Sequence, residues 1–203
     1  MVVDKKKTYQ VRDFTFKNFV CLTEEEIRTI WEWRNHPDVR KWMVTDQIIP
    51  YENHLSFIEG LRHRTDKFYW MTFFKGSPVA VLSIADIDLE AGTGTPGYYI
   101  DPGCRIVGMG ILLQYAFKYL FLKVLDFNRL NGLILWGNTN SYQNARFLGS
   151  QVVGYKTIND RKYVLTVADK SCLDGVDPDN LLRGFVDFNR KQPVNWDSFE
   201  FSI

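Results

Sequence analysis

Few cysteines, almost no net charge and no long apolar run characterise this 203-residue sequence. Its three cysteines, Cys21, Cys104 and Cys172, lie far apart and form no CxxC pair, which argues against a disulfide framework or a structural zinc site. We therefore expect a reducing, cytoplasmic location and no bound metal. The formal net charge of +1 gives no electrostatic reason to expect a nucleic-acid partner or an anionic membrane.

The longest apolar segment spans residues 111–125 and is interrupted by Gln114, Lys118 and Lys123. It is shorter than the roughly 20 residues that are needed to span a bilayer. Met1 and the two valines after it lead into charged residues, so we expect no signal peptide. The composition, with 45% hydrophobic and 24% charged residues, is ordinary for a soluble globular domain with a substantial core.

Apolar periodicity and turn residues predict helices and strands in the order β-α-α-β-β-β-α-β-α-β-β, followed by a tail. The predicted strands span residues 14–22, 68–74, 79–89, 97–100, 133–136, 152–158 and 163–167. A capping box at Thr23 and Glu26 begins the first helix, which stops near Asn35 before a proline. The other predicted helices span residues 51–63, the segment that ends at 125, and residues 141–148 and 180–189.

Residues 98–125 contain a short β-like run, a turn at Asp101-Pro102-Gly103, a loop with Gly108 and Gly110, and an apolar helix. A loop that enters a helix in this way leaves backbone N–H groups unpaired. The helix dipole adds partial positive charge at the same place. The junction therefore predicts a site for an anion such as phosphate.

Three phosphate-binding motifs compete for this loop. A P-loop is excluded because no Lys-Ser or Lys-Thr follows Gly110. A dinucleotide fingerprint would need a third glycine where Leu113 stands, and a βαβ unit around it. The third motif is R-x-x-G-x-G, which Arg105, Gly108 and Gly110 satisfy. The alternative to all three is a tight turn whose glycines only permit close packing.

The R-x-x-G-x-G motif follows a strand and precedes a long helix, which is followed by a strand, an Asn, a short helix and a closing hairpin. In this setting the motif resembles the coenzyme loop of the GNAT acetyltransferases. The resemblance runs as far as residue 168. It implies an α+β GNAT fold, with a mixed, mostly antiparallel sheet of about six to seven strands flanked by helices. It also implies acetyl-CoA as cosubstrate. The residues that it assigns to the coenzyme are Ile100, Arg105, Val107, Gly108, Met109, Gly110, Ile111 and Asn138.

Within this resemblance, backbone N–H groups of residues 107–111 would hold the coenzyme pyrophosphate, with Arg105 as a charged neighbour. The strand before the loop would splay away from the strand that follows the helix. The pantetheine arm would lie in that gap and pair with free backbone groups near Ile100.

GNAT sequences commonly carry N-x-x-A-x-x-x-Y-x-x-x-G-F after the next strand. Asn138, Ser141 and Gly149 fall in register with it, but Ala145 stands in the tyrosine position. In family members that have it, this tyrosine can protonate the departing thiolate. Tyr142, one helical turn earlier, is our candidate for a substitute acid. The alternative is that Tyr142 is a packed aromatic.

The acceptor amine must be neutral to attack, so a base, often acting through water, would remove its proton. The candidates by position are His54, Glu52, Asp86 and Asp88. A single His or Asp is more often a surface or capping group, and none of the four is strongly favoured. We take His54 as the catalytic candidate.

The spacing of Trp33-Arg34-Asn35, Trp42-Met43 and His54 to Ile58 is similar to one GNAT subgroup. That subgroup includes ribosomal-protein N-terminal acetyltransferases and nucleotide-aminosugar N-acetyltransferases, and the pattern is most like the aminosugar enzymes of pseudaminic acid synthesis. The candidates for acceptor binding are Arg34, Trp42, Met43 and Phe57, with Arg40 and Lys41 as further cations for a nucleotide diphosphate. A polyamine acceptor would require a carboxylate cluster, and the connector between the first two predicted helices, residues 36–50, offers only Asp38 and Asp46.

The sequence therefore predicts an N-acetyltransferase that works by direct attack of a small-molecule amine, preferably on a nucleotide-linked sugar. The alternatives are an acetyltransferase for the α-amine of a protein or peptide, and a non-catalytic protein that binds acyl-CoA. We assign residues 1–168 to the GNAT domain and residues 169–203 to a C-terminal extension. The tail aromatics Phe185, Phe188, Trp196, Phe199 and Phe201 predict that the extension packs on the core or on a partner subunit, which leaves a homodimer open.

Overall fold

The computed structural model describes residues 3–198 and contains one mixed sheet with helices on both faces. The predicted α+β class is confirmed. The strands are β1 (Tyr9–Val11), β2 (Phe14–Asn18), β3 (Phe68–Phe74), β4 (Ser77–Asp88), β5 (Thr93–Ile100), β6 (Arg129–Leu135), β7 (Gln151–Ile158) and β8 (Arg161–Asp169). The helices are α1 (Glu24–Asn35), α2 (Pro37–Arg40), α3 (Tyr51–Leu61), α4 (Met109–Tyr119), α5 (Thr139–Phe147) and α6 (Leu181–Lys191).

The eight strands lie in the order β1-β2-β3-β4-β5-β6-β8-β7, and every neighbouring pair is antiparallel except β5 and β6. The parallel pair is joined only at Thr93–Arg129 and Gly94–Leu130. Beyond these residues the two strands diverge, so one edge of the C-terminal half of β5 has no neighbouring strand within residues 3–198. This opening is the splay that the sequence predicted.

Six to seven strands were predicted, but the sheet has eight among the described residues. The additional strand is β1, which forms a tight hairpin with β2. Tyr9 and Val11 are buried on one face of β1, and Arg12 makes the turn at φ 51°. Three residues are too few for a clear alternating pattern. The predicted strand 14–22 ends early because the Asn18 side chain accepts a hydrogen bond from the Val20 N–H (3.1 Å) and starts a 3₁₀ turn.

Each face of the sheet has its own apolar core. On one face, α4 contributes buried Leu113 and Phe117, which belong to the same cluster as Trp70 and Leu82 of the central strands. On the other face, α1 and α3 cover Met71 and Val81 with buried Ile30 and Ile58. The opening between β5 and β6 therefore connects two helical layers.

The N-terminal capping box of α1 is confirmed. The Glu26 N–H donates to Thr23 Oγ1 (3.3 Å), and the Thr23 N–H donates to Glu26 Oε2 (2.7 Å). The connector after α1 was predicted without a helix, but α2 forms there because Pro37 occupies its first turn and the His36 side chain caps the Asp38 N–H.

The C-terminal segment lies against α4 and α5. Phe147 of α5 makes edge contacts with Phe185 and Phe188 of α6, at ring-centroid distances of 5.6 Å and 5.5 Å. Asp179, just before α6, forms an ion pair with Arg12 of the first hairpin. Phe199 and Phe201 lie outside the described residues, and the division of the chain at residue 168 stays a prediction. Every helix within residues 3–198 is too short or too polar to span a bilayer.

Candidate active site

A cavity of about 1210 Å³ passes through the splay and joins the two helical layers. Predicted site residues from both layers line it: Arg34, Trp42, Met43, His54, Phe57, Ile100, Gly108, Met109, Gly110, Ile111 and Asn138. Three predicted residues, Arg105, Val107 and Tyr142, do not line it. One cavity thus brings together segments that are far apart in the sequence.

The glycine loop is held in shape before it reaches α4. The Asp101 side chain accepts a hydrogen bond from the Gly103 N–H (2.8 Å), and the Asp101 N–H donates to the Val79 oxygen (2.8 Å). Gly108 is the N-cap of α4 at φ 75°, a conformation that residues with a side chain rarely adopt. The sharp bend at Gly108 directs the loop into the first turn of α4.

The backbone amides of this turn are not all available to a ligand. The N–H groups of Met109 and Ile111 donate to Ile106 and Gly108 oxygens at 3.2 Å and 3.1 Å. Among residues 3–198, no hydrogen bond from the N–H groups of Val107, Gly108 or Gly110 is present. The amides available to an anion are therefore those of residues 107, 108 and 110, at the positive end of the α4 dipole.

The structure shows where two predicted coenzyme-loop residues, Gly110 and Arg105, lie and what they contact. A Cβ on Gly110 would lie 3.0 Å from Asn144 Nδ2, so glycine lets α4 and α5 approach each other at the cavity wall. Arg105 is exposed and folds back on its own loop, where its Nη1 donates to the Pro102 oxygen (2.9 Å). A contact between Arg105 and an anion would require that side chain to turn outward.

The free edge of β5 lies beside the start of α5. Ile100 pairs with Ala80 of β4 on one side, and β6 has already diverged on the other. Asn138 is the N-cap of α5, where its Oδ1 accepts a hydrogen bond from the Ser141 N–H (3.2 Å). Backbone groups at Ile100 are thus open to pairing with an extended ligand.

On the opposite side of the sheet, Arg34 and His54 bring unpaired polar atoms to the cavity. Arg34 Nη2 donates to the Thr45 oxygen (2.7 Å), whereas its buried Nη1 has no partner among the described residues. Within that same part of the chain, His54 Nε2 is also buried without a partner, and the residue is 5% exposed. Burial, with a contribution from the Arg34 charge, lowers the pKa of His54 to about 4. His54 is therefore neutral at physiological pH.

The connector between α1 and α3 forms the outer wall of this half. Asn35 fixes it, because its amide donates to the Ile49 oxygen (2.9 Å) and accepts from the Ile49 N–H (2.8 Å). Arg161, in the β7–β8 hairpin, donates to the backbone oxygens of Met43 and Lys41 (2.6 Å each). The connector is thus held at its C-terminal end and in its middle, with Trp42 39% exposed at the cavity.

Two cations that were predicted as diphosphate contacts lie elsewhere. Arg40 donates to backbone oxygens of Asn35 (2.9 Å) and Asp46 (2.7 Å) and does not line the cavity. Lys41 pairs with Asp38 at 2.7 Å. Both side chains stabilise the connector, so Arg34 is the one of the three predicted cations that reaches the cavity.

Of the four base candidates, two line the cavity and two do not. His54 and Asp86 line the cavity, and Asp86 lies at a β-bulge in β4 with φ 51°. Asp88 instead accepts hydrogen bonds from the Glu90 and Ala91 N–H groups (3.0 Å and 2.9 Å) and holds the following turn. Glu52 is exposed on α3 and does not line the cavity.

Tyr142 is 3% exposed and packs against Trp196, with ring centroids 5.2 Å apart. The structure therefore does not bring it to the cavity, and its setting is that of a packed aromatic. The polar side chains that line the cavity and that the sequence prediction missed include Tyr98, Gln114 and Lys118. Gln114 and Lys118 follow Gly110 at intervals of four, which is a polar stripe along an apolar helix and the signal that would have found them.

Comparisons with known proteins agree with this architecture. No family model matches the sequence. Acetyltransferase PseH from Campylobacter jejuni subsp. jejuni (serotype O:23/36, strain 81-176) is 33% identical over 134 residues, which cover 64% of this chain and 82% of that protein. PseH from serotype O:2 of the same subspecies is 34% identical over the same shares of both chains.

Solved structures show the same fold at low identity. The C. jejuni N-acetyltransferase PseH in complex with acetyl coenzyme A superposes with a TM-score of 0.61 at 20% identity, over 78% of this chain and 99% of that one. A Vibrio cholerae spermidine N-acetyltransferase, solved with CoA and spermine, gives 0.69 at 12% identity, over 79% of this chain and 98% of that one. The predicted GNAT fold and acetyltransferase class are confirmed.

Proposed function

We propose, because this chain belongs to the PseH family of acetyltransferases, that it transfers an acetyl group from acetyl-CoA to an amine on a nucleotide-linked sugar. The observation that carries the proposal is the cavity through the splay. Its donor end offers backbone N–H groups at a helix N-terminus, and its acceptor end offers Arg34 Nη1 and His54 Nε2, both buried and without a partner among residues 3–198.

The donor end fits acetyl-CoA in three ways. The amides of residues 107, 108 and 110 would bind the pyrophosphate at the α4 N-terminus. Free backbone groups at Ile100 would pair with the pantetheine amides in the opening beside β5. Third, acetyl-CoA brings an activated acyl group with a thiol leaving group, so this chain needs only to hold the thioester in place.

The acceptor end fits a substrate that carries both negative charge and ring surfaces. Arg34 Nη1 would donate to a diphosphate oxygen, a bond that is strengthened by the arginine charge. Trp42, Met43 and Phe57 would cover the sugar or the base. Residues 36–50 carry two carboxylates, Asp38 and Asp46, and Asp38 pairs with Lys41, so this connector offers little acidic surface to a polycationic acceptor.

In the reaction, the neutral amine attacks the thioester carbonyl directly, so no acyl-enzyme forms. Positioning of the two substrates and backbone N–H groups near Ile100 provide most of the catalysis. The low pKa of His54 keeps its imidazole able to accept a hydrogen bond from the amine or from an intervening water. Asp86 is the other one of the four base candidates that lines the cavity.

A thiol-release assay tests this function. The acceptors to compare are UDP- and dTDP-linked aminosugars, the matching sugars with a hydroxyl in place of the amine, N-terminal peptides and polyamines. We expect thiol release with an aminosugar and none with its hydroxyl counterpart. Turnover with peptides alone would replace the acceptor by a protein α-amine. Tight acetyl-CoA binding without turnover on any acceptor would favour the non-catalytic alternative.

We also propose that residues 169–198 form an arm that supports the donor end. A Cβ on Gly108 would overlap the Cδ2 atom of Leu182 in α6, and Phe185 of the same helix lines the cavity. The arm thus touches the loop that is proposed to hold the pyrophosphate. Its contribution to a homodimer stays a prediction, as does the cytoplasmic location that the three free cysteines favour.

A further inference from the structure

The acetyl-transfer reaction needs a proton for the departing sulfur, and α5 does not supply one at the expected position. Ala145 is 4% exposed and lines the cavity where the GNAT motif has tyrosine. Tyr142 is held away from the cavity by its packing on Trp196. A proton donor on this wall has to come from another element.

Tyr98 enters the same region from the strand side. It lies on β5 two residues before Ile100, and its ring packs on Phe117 of α4 at a centroid distance of 5.5 Å. Its side chain therefore points to the face of the sheet that carries α4 and α5. The next residue, Tyr99, points to the opposite face, where its hydroxyl donates to the Ile30 oxygen (3.3 Å).

The Tyr98 hydroxyl reaches the gap between α4 and α5. Gln114 Nε2 of α4 donates to it (3.4 Å), and Ser141 and Asn144 of α5 hydrogen-bond to it as well. Asn144 directly precedes Ala145 and also lies against Gly110. Ser141, Asn144 and Ala145 lie within about one turn of α5, so the hydroxyl faces the same part of the cavity wall as Ala145, near the first turn of α4.

The surroundings keep this hydroxyl protonated. Burial raises the pKa of Tyr98, and the three polar neighbours only partly offset that effect. Lys118, one turn beyond Gln114, is the charged group that faces this part of the cavity from α4, and its ammonium donates to the Leu148 oxygen and Ser150 Oγ (2.7 Å each). Burial lowers the pKa of Lys118 to about 8. Arg146 of α5 lies over Phe188, away from the cavity.

We propose that Tyr98 is the acid that protonates the departing coenzyme A sulfur, a role that a strand residue takes here because α5 carries alanine. The N–C bond forms, the amine loses one proton to its base, and the C–S bond breaks with its electron pair on sulfur. Tyr98 Oη gives its proton to that sulfur and regains one from water. The inference rests on the proposed function, because it needs the thioester to lie in the splay.

A titration of bound coenzyme A tests the contact without turnover. The thiolate is followed by ultraviolet difference absorbance in saturated enzyme, with desulfo-coenzyme A as the blank. A hydroxyl that donates to the sulfur stabilises the thiolate, so Tyr98→Phe should raise the pKa of the bound thiol by about 1–2 units. Tyr99→Phe removes a neighbouring buried hydroxyl on the opposite face and should leave that pKa unchanged.

Kinetics with the aminosugar acceptor give the second test. Tyr98→Phe should lower kcat by about 10²-fold, the lower end for general acid catalysis, because a thiolate is a stable leaving group. Adding Ala145→Tyr to that variant should raise kcat again by tenfold or more, since it places a phenol at the position that tyrosine has in the GNAT motif. Calorimetry should show unchanged acetyl-CoA affinity in Tyr98→Phe.

The outcomes separate the two proposals. An unchanged thiol pKa in Tyr98→Phe would overturn the role of Tyr98 while leaving the acetyl transfer in place. An equal shift of the thiol pKa in Tyr99→Phe would also overturn that role. If coenzyme A did not bind to the unmodified protein, the proposed function would fail first. If the double variant did not fold, as judged by circular dichroism, the thiol titration would decide alone.

Discussion

The donor end and the acceptor end of the cavity are built from different chemical groups. The donor end consists mainly of backbone: the amides of Val107, Gly108 and Gly110 and the edge of β5, which have no partners within the described part of the chain. The acceptor end consists of side chains, among them Arg34 and His54 with their buried nitrogens. A backbone site depends on local conformation and tolerates most side-chain changes, except where glycine is required. A side-chain site depends on each residue and on the segments that hold it.

The largest expected effect is at the donor end. Gly108→Val should remove detectable acetyl-CoA binding in calorimetry, because a β-branched residue at φ 75° is strongly disfavoured and its Cβ overlaps Leu182. The protein should remain folded by circular dichroism. Gly108→Ala alone and with Leu182→Ala separates the two causes, since the second change removes only the overlap. Unchanged affinity in Gly108→Val would remove the basis for the donor site.

The next effect would show that the acceptor end acts independently. Arg34→Met should raise the acceptor KM about ten- to a hundred-fold, because a charge-assisted hydrogen bond is lost. Acetyl-CoA affinity should not change. Arg62→Met, an exposed arginine of the same layer that pairs with Glu59, is the matched control and should leave both constants unchanged. A loss of coenzyme affinity in Arg34→Met would contradict the division into two ends.

A change of pH should act on the acceptor end through His54. Its folded-state pKa, about 4, lies below the ordinary value of 6.5, so the unfolded chain binds the proton more readily. Above pH 6.5 His54 is neutral in both states, and it does not change the free energy of unfolding. As pH falls towards 4 the unfolded chain takes up the proton first, so the free energy of unfolding decreases. Between pH 7 and pH 5 the free energy of unfolding should fall by about 2 kcal/mol at most from this group. Urea unfolding at both values measures it, and His54→Gln should flatten that difference. An equal fall in His54→Gln would exclude His54 as its source.

The smallest effect is expected at the rim of the acceptor end. Phe57 is 39% exposed and makes an edge contact with Tyr69 at 5.1 Å. Phe57→Leu should raise the acceptor KM about two- to five-fold, in keeping with the value of one aromatic contact. Steady-state kinetics with and without the nucleotide portion of the acceptor would locate that contact. An effect as large as that of Arg34→Met would place the ring at the centre of the site.

The donor end was predictable because its signals are local. Gly108 and the turn at Asp101 act within a few residues, and the structure has both in the expected conformation. Gly110, which was predicted in the loop, lies in the first turn of α4 instead. The fold followed from the order of such elements. The one strand that was missed within residues 3–198, β1, is too short for its pattern to be distinct from a turn.

The proton donor was not predictable in the same way. Tyr142 lies one turn before Ala145, but Trp196, 54 residues later in the sequence, holds its ring away from the cavity. Tyr98 was treated only as part of a strand, because its setting depends on α4 and α5 packing over β5. Similarly, the role of Arg40 in the connector depends on backbone oxygens whose positions only the folded chain defines.

The clamp made by Arg161 has a consequence for recombination between relatives. Its guanidinium holds the backbone at Met43 and Lys41 from a hairpin 118 and 120 residues further along the chain. A chimera that received residues 36–50 from an enzyme with another acceptor would gain new side chains but lose their support. Residues 151–169 would have to be exchanged with them. With the acceptor site that we propose, acceptor preference would therefore depend on two segments that must be inherited together.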